Sequence, residues 1–293
     1  MIKIVSTNLP RIPTPPLFYG GAELEAALIA NALIEEGFSV CLDANPRSLK
    51  TWDYYFTTSI KLCNGKADLT ISTINCDADI HAFQARPFFC PTYKVFISEP
   101  QKEYYNALYG LDNDYQVIPN AIPEWLYTPR ERWDDGDYYL FMNRCDENKG
   151  CEKFVDWCIK NNYKCKMITQ NWFIDDPTYA QRALDKARNH GIEVLINVDP
   201  LDKIEIIKGA KAVVGFLSNK YLEAYGLWVH EANWLRVPVI ATPRPAVPWT
   251  MMRGVLIDGG KITEVNKDET TWRRERSYAS FKERWVKLVE QNF

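Results

Sequence analysis

Short runs rich in β-branched and aromatic residues alternate with stretches of helical period along nearly the whole chain, and the alternation breaks once, over residues 119–137. A strand, an amphipathic helix and a second strand bury their apolar faces together when the strands run parallel and the helix crosses over the sheet. The fold class is therefore α/β. In the first half the pattern predicts strands at 2–6, 39–43, 69–74, 93–98 and 115–118, and a helix over 22–36. In the second half it predicts strands at 138–142, 165–168, 193–196, 212–216 and 237–241. Helices are expected there over 151–161, 178–190, 203–208, 227–235 and 278–291. The break holds three prolines and clustered charge without periodicity, which is how a linker reads. The organisation expected is a first domain over 1–120, a linker over 121–137, a second domain over 138–276, and a terminal helix over 277–293 free to pack back toward the first. Two α/β units facing each other leave a cleft at the carboxyl ends of their strands, where such sheets bind ligands.

Two constellations carry chemistry. The first is Glu223-Ala-Tyr-Gly-Leu-Trp-Val-His-Glu231, with seven residues between its carboxylates across a turn and a helix start. Gly226 permits a close backbone approach, and the free N–H groups of a helix beginning there favour a phosphate. Glu231, about one turn in, can accept hydrogen bonds from sugar or ribose hydroxyls. The plainer reading is that Glu223 caps the helix and Glu231 lies on its solvated face. The second constellation is Asn143-Arg144-Cys145-Asp146-Glu147-Asn148-Lys149-Gly150, between a strand and a helix. A guanidinium fork and an ammonium point charge can converge on one diphosphate and neutralise it as a leaving group. Alone, such a loop reads equally as basic surface.

Together the two motifs resemble the retaining glycosyltransferases of family 4, whose two Rossmann-like domains face across a cleft in the GT-B architecture. The resemblance extends to Gly20-Gly21 before the first helix, to Val117-Ile118-Pro119-Asn120, and to Glu231-Ala232 followed by Val237-Pro238-Val239-Ile240-Ala241-Thr242. It implies a hexosyl transfer from a UDP- or GDP-sugar with retention of configuration, no cofactor and no metal. Arg144 and Lys149 would then bind the diphosphate, and Glu223 the transferred sugar. The backbone at Tyr225, Gly226 and Leu227 would take phosphate or sugar, Glu231 the ribose, and Gly20 and Gly21 would complete the phosphate side. Arg144, Lys149 and Glu223 would also carry the catalysis, the first two by stabilising the leaving group. The resemblance is thinner in the first domain, which would hold the acceptor. Where many members carry a histidine near the reacting sugar, this chain has Ser98-Glu99, so Glu99 and His81 are the candidates for contact with the acceptor hydroxyl. The acceptor class, whether lipid, protein, glycan or small molecule, stays open.

Other classes fit less well. Asp77-Ala-Asp79 could be the metal-holding pair of a GT-A transferase, but two acids in a turn also cap helices. A nicotinamide dehydrogenase could use Asp43 on a ribose, yet Phe18-Tyr19-Gly20-Gly21-Ala22-Glu23 lacks the glycine fingerprint. A degenerate GT-B protein serving binding or assembly is the non-enzymatic reading. Residues 1–120 carry 9 Lys+Arg against 13 Asp+Glu, which disfavours nucleic acid as a partner. Arg273, Arg274 and Arg276 offer a peripheral contact to an anionic membrane or a solvated face. No apolar run reaches the ~20 residues of a membrane span and no signal-peptide pattern opens the chain, so a cytoplasmic protein is expected. In that setting the 8 cysteines are expected as buried free thiols, and the Cys151, Cys158, Cys165 spacing does not suit zinc. Trp52, Trp125, Trp228 and Trp249 suit a sugar groove or core packing.

Overall fold

The computed structural model describes residues 2–5, 21–43, 59–63, 68–74, 93–110, 115–171 and 176–292. In chain order the first strands and helices are β1 (Ile2–Val5), α1 (Gly21–Glu35), β2 (Val40–Asp43), β3 (Ser59–Cys63), β4 (Asp68–Ile74), β5 (Tyr93–Phe96), α2 (Glu99–Tyr109) and β6 (Tyr115–Val117). They are followed by β7 (Tyr138–Met142), α3 (Cys151–Asn161), β8 (Cys165–Thr169), α4 (Pro177–Asn189), β9 (Glu193–Ile196), α5 (Pro200–Lys208), β10 (Ala210–Gly215) and α6 (Leu227–Trp234). The chain closes with β11 (Val239–Ala241), α7 (Ala246–Thr250), β12 (Arg253–Asp258), β13 (Lys261–Asn266), α8 (Glu269–Arg276) and α9 (Tyr278–Asn292). Contacts divide it into a unit of Met1–Glu124 with Arg273–Phe293 and a unit of Trp125–Trp272.

The first unit's described strands run in the order β2-β1-β3-β4-β5-β6. Its core is built where α1 meets α9. Ala26, Ile29, Ala30 and Leu33 recur at helical spacing on α1 and are buried with Phe281, Trp285, Leu288 and Val289 of α9. The alanines leave room for the bulky α9 side chains, and Trp285 is completely enclosed. At the edge of this contact the Asn31 side chain donates to the Tyr278 hydroxyl at 2.7 Å, and Lys282 bridges Glu35 and Glu36 at 3.0 and 2.6 Å. Burial pushes the Tyr278 phenol up to about 12.

The second unit's strands run β13-β12-β11-β10-β7-β8-β9, all parallel except β13. Phe141, Met167 and Val214 on one face of this sheet pack against Phe154 and Val155 of α3 and Ala180, Ala183, Leu184 and Ala187 of α4. Helix α4 starts at Pro177 because Asp176 accepts hydrogen bonds from the Thr178 and Tyr179 N–H groups at 2.9 and 3.1 Å. Each unit is thus a Rossmann-like α/β layer structure, and the α/β class with two such units describes the fold.

Several elements depart from the expectation. Strand β3 lies antiparallel between β1 and β4, and β13 hairpins onto β12. Neither shows in the sequence as a separate run, nor do β12, α2, α7 and α8. The cysteines correct a second expectation: Cys145 pairs with Cys151 and Cys158 with Cys165 as disulfides. The turns at either end of α3 bring their Cα atoms to 5.1 and 6.4 Å, within bridging range, a proximity that spacing alone does not reveal. The basic cluster on α8 is not one exposed face either, since Arg276 is buried. No described helix is long and apolar enough to cross a membrane.

The segment that opens the second unit is fastened by one side chain. Arg130 donates to the carbonyl oxygens of Arg236 at 3.0 Å, Lys208 at 3.0 Å, Ala210 at 2.8 Å and Trp133. It therefore ties this segment to the ends of α5 and α6. Burial pulls its pKa down against the charges of Asp135 and Asp134, yet a guanidinium stays protonated. Arg130→Ala strands these acceptors and is expected to cost about 3 kcal/mol, read as a lower denaturant midpoint at unchanged slope. A loss below about 1 kcal/mol would show that the clasp is dispensable.

Candidate functional site

The β7–α3 loop is a tight turn with its own internal support. Asp146 Oδ1 accepts the Lys149 N–H at 2.7 Å, Gly150 N–H donates to the Glu147 carbonyl at 3.1 Å, and Arg144 lies 3.4 Å from Asp146 Oδ2. Gly150 takes the left-handed conformation at φ 73° and begins α3. The loop docks on the segment after β10, where the Ser218 N–H donates to the Asn148 carbonyl at 2.9 Å. A Cβ at Gly150 would come within 2.0 Å of the Phe216 carbonyl oxygen, so only glycine permits this approach.

The docking brings the two motifs together. Lys149 Nζ lies 2.7 Å from Glu223 Oε2, with side-chain exposures of 10% and 9%. The same oxygen accepts from Trp228 Nε1 at 3.2 Å, and the ammonium sits 4.4 Å from the centroid of the Tyr221 ring. Burial alone would lower the Lys149 pKa, but the facing Glu223 carboxylate and Tyr221 outweigh it and hold the pKa above the usual lysine value. Burial raises the Tyr221 phenol, and the nearby positive charges of Lys149 and Arg144 oppose that rise. Arg144 comes from the same loop as Lys149, pairs with Asp146, and keeps 24% of its side chain exposed.

Gly226, at φ 78°, turns the chain into α6, whose start carries no side-chain cap. The Val229 and His230 N–H groups already donate to the Gly226 carbonyl at 2.9 and 3.2 Å, so it is the N–H groups of Leu227 and Trp228, with the positive dipole end, that the turn presents beside Glu223. Aromatic packing holds the turn from behind. The Tyr225 hydroxyl shares a hydrogen bond with His230 Nδ1 at 2.9 Å, and the His230 ring meets Trp272 and Trp234 edge-on at 5.3 and 5.8 Å. Thr250 donates its hydroxyl to the Tyr225 carbonyl.

Glu231 overturns the plainer reading of its motif, because it is fully buried rather than solvated. Its Oε1 accepts from the Tyr127 hydroxyl at 2.7 Å and from Lys203 Nζ at 2.6 Å. Its Oε2 is buried without a hydrogen-bond partner.

Of the expected residues, Lys149 of the β7–α3 loop and Glu223 are brought into contact; Arg144 lies on the same loop, Tyr225 and Gly226 lead from Glu223 into α6 at Leu227, and Glu231, one turn into α6, contacts Tyr127 and Lys203 instead. Glu99 belongs to the first unit, where it opens α2 behind the Ser98 cap and pairs with Lys102. Gly21 is the first residue of α1. Gly20, His81, Trp52, Asp77 and Asp79 lie outside the described residues. Among the described residues no group of three or more His, Cys, Asp or Glu side chains is placed to hold a metal ion. Trp228 is buried in the packing and Trp125 is exposed. Tyr221, Tyr127 and Lys203 had no signal in the sequence, whereas Asp146, three residues before Lys149, could have been found from its turn-forming spacing.

No family model and no curated protein matches this sequence. Solved structures do match. AviGT4, a glycosyltransferase involved in avilamycin A biosynthesis, superposes with a TM-score of 0.66 at 17% identity over 99% of this chain and 98% of that one. Alr3699/HepE from Anabaena, solved in complex with UDP-glucose, gives a TM-score of 0.57 at 12% identity over 73% of this chain and 68% of that one. Its complex with UDP gives 0.55 at 10% identity over 91% and 77%. The likeness at these identities is one of fold.

Proposed function

We propose that this chain is a glycosyltransferase that draws its sugar from a nucleotide diphosphate donor bound by its second unit. The observation that carries the reading is the buried 2.7 Å contact between Lys149 and Glu223, which joins the cationic loop to the acidic turn across 74 residues. The reading is supported by the ammonium and carboxylate of that contact, by Arg144 on the same loop, and by the α6 start, without a side-chain cap, that leads to Glu231: groups of the kinds that a diphosphate with a sugar on either side calls for. In this reading Arg144, Lys149 and the N–H groups at the Gly226 turn take the diphosphate. Glu223 faces the transferred sugar and Glu231 the ribose.

The chemistry follows from charge. As the glycosidic bond to the diphosphate breaks, negative charge grows on the leaving phosphate, and fixed positive groups stabilise it more than they stabilise the ground state. Glu223 keeps Lys149 charged and aimed. Transfer with retention, which the family resemblance implies, needs no protein nucleophile: the acceptor hydroxyl attacks from the side the diphosphate leaves, and the phosphate oxygen can take the proton. A uridine donor is the preferred form, because the similar fold of Alr3699/HepE was solved with UDP-glucose. The acceptor-binding role of the first unit, with Glu99 and His81, is part of the same proposal.

Thermal denaturation with nucleotides tests it. A diphosphate nucleotide at 100 times its Kd is expected to add about 2.7 kcal/mol to stability and to raise the midpoint accordingly. UDP and UDP-glucose are expected to act, and nucleosides without phosphate are not. A flat response to UDP, GDP, ADP, CDP and their sugars would overturn the reading.

A further inference from the structure

The geometry points to Tyr127 and Lys203 as positioning residues that fix which oxygen of Glu231 meets the ribose of the donor. The inference rests on the nucleotide-donor reading of this site and deepens it. A carboxylate offers about four acceptor positions on two oxygens. At Glu231 both observed donors fall on one of them: Tyr127 at 2.7 Å and Lys203 at 2.6 Å approach Oε1, and Oε2 is buried with no partner. A buried carboxylate oxygen left unpaired is costly, and such an atom asks for a partner.

The placement of the three residues supports this. Glu231 is the fifth residue of α6, about 6 Å along the axis from Leu227, and helical side chains lean back toward the N-terminus. A phosphate at the start of α6 therefore leaves its ribose, one ester linkage away, within reach of Oε2. Lys203 comes from α5, where it is buried beside Ile204 and Ile207. Tyr127 comes from the segment that Arg130 clasps to the ends of α5 and α6. Three separately anchored elements thus meet on one oxygen. Two donors on Oε1 stop the carboxylate from rotating, and Lys203 balances its charge. The vicinal hydroxyls of a ribose, which can both donate, are then the matching ligand for Oε2.

The test compares nucleotides by calorimetric titration. UDP, GDP, ADP and CDP are first titrated into the wild-type protein, and the tightest binder is then compared with its 2′,3′-dideoxy form. The wild type is expected to prefer the ribonucleotide by about tenfold or more, the size of one hydrogen bond to a charged group. In Tyr127→Phe and Lys203→Met that preference is expected to fall several-fold, while affinity for the dideoxy form stays near the wild-type value. Should Lys203→Met fail to fold, Tyr127→Phe, which removes one oxygen and no charge, carries the test. An unchanged ribose preference in folded Tyr127→Phe, or an equal loss for both nucleotide forms, overturns the inference. Absence of binding by all four nucleotides to the wild type overturns the donor reading itself, and the positioning roles with it.

Discussion

Lys149→Ala is expected to lower sugar transfer by about 10²–10³-fold, because it removes a fixed positive charge from the leaving diphosphate. It also takes from the buried Glu223 the cation bonded to it and leaves the Trp228 indole N–H as its donor, which is expected to cost about 3–5 kcal/mol of stability. The two effects separate by measurement. Activity is followed well below the variant's melting temperature, and stability by denaturant titration. Lys149→Arg is not expected to restore activity, since a planar fork replaces a point charge seated over Tyr221 in a slot only 10% exposed. The pH dependence has a definite sign. The folded-state pKa of Lys149 is raised, so the stabilisation from its proton is fully present below the ordinary lysine value and is lost only as pH climbs through the folded-state pKa. The wild-type advantage over Lys149→Ala that comes from this proton therefore holds up to about pH 10 and falls at higher pH. Transfer at the wild-type rate by folded Lys149→Ala would remove the lysine from the mechanism.

Gly150→Ala is expected to be as damaging by a different route. Its Cβ would sit 2.0 Å from the Phe216 carbonyl oxygen and 2.6 Å from the carbonyl carbon, both main-chain atoms that cannot step aside. The left-handed φ of 73° adds strain of its own. Together these are expected to destabilise by about 3 kcal/mol or more and to lift the loop carrying Arg144 and Lys149 off the segment after β10. Gly226→Ala is the control. At Gly226 the nearest atom to an added Cβ is Val229 Cγ2 at 3.4 Å, so little beyond the φ penalty of about 1–2 kcal/mol is expected. Urea titration of the two variants checks the contrast, and equal losses would show that loop docking against the segment after β10 is not what Gly150 serves.

The site was partly legible before any coordinates. The Asn143–Gly150 loop and the Glu223–Glu231 turn stood out because each sets several chemically suited residues at a strand-to-helix junction, which is a local property. Tyr127 did not stand out. It sits in a stretch without periodicity that read as linker, and its partner is 104 residues away. Lys203 read as one more polar residue of a short helix, and only the packing of α5 shows that its ammonium is enclosed against Glu231. Glu231 itself could be assigned to ribose or to solvent with equal ease, because the face a helical residue presents depends on what covers the helix. The disulfides lie beyond the sequence for a related reason: composition says nothing about two turns that bring cysteine pairs within bridging range.

What the amino-acid order determined by itself is the α/β class, the position of most strands and helices, and the two loops rich in chemistry. Hydrophobic period, turn residues and helix starts act over a few neighbours and survive in any tertiary arrangement. What the folded structure alone decided is which groups share a space: Lys149 with Glu223 and Tyr221, Tyr127 and Lys203 on a single oxygen of Glu231, β3 antiparallel within its sheet, and Gly150 against the Phe216 carbonyl. Through-space charge, burial and strand order arise from long-range packing, and packing has no period that a linear sequence displays.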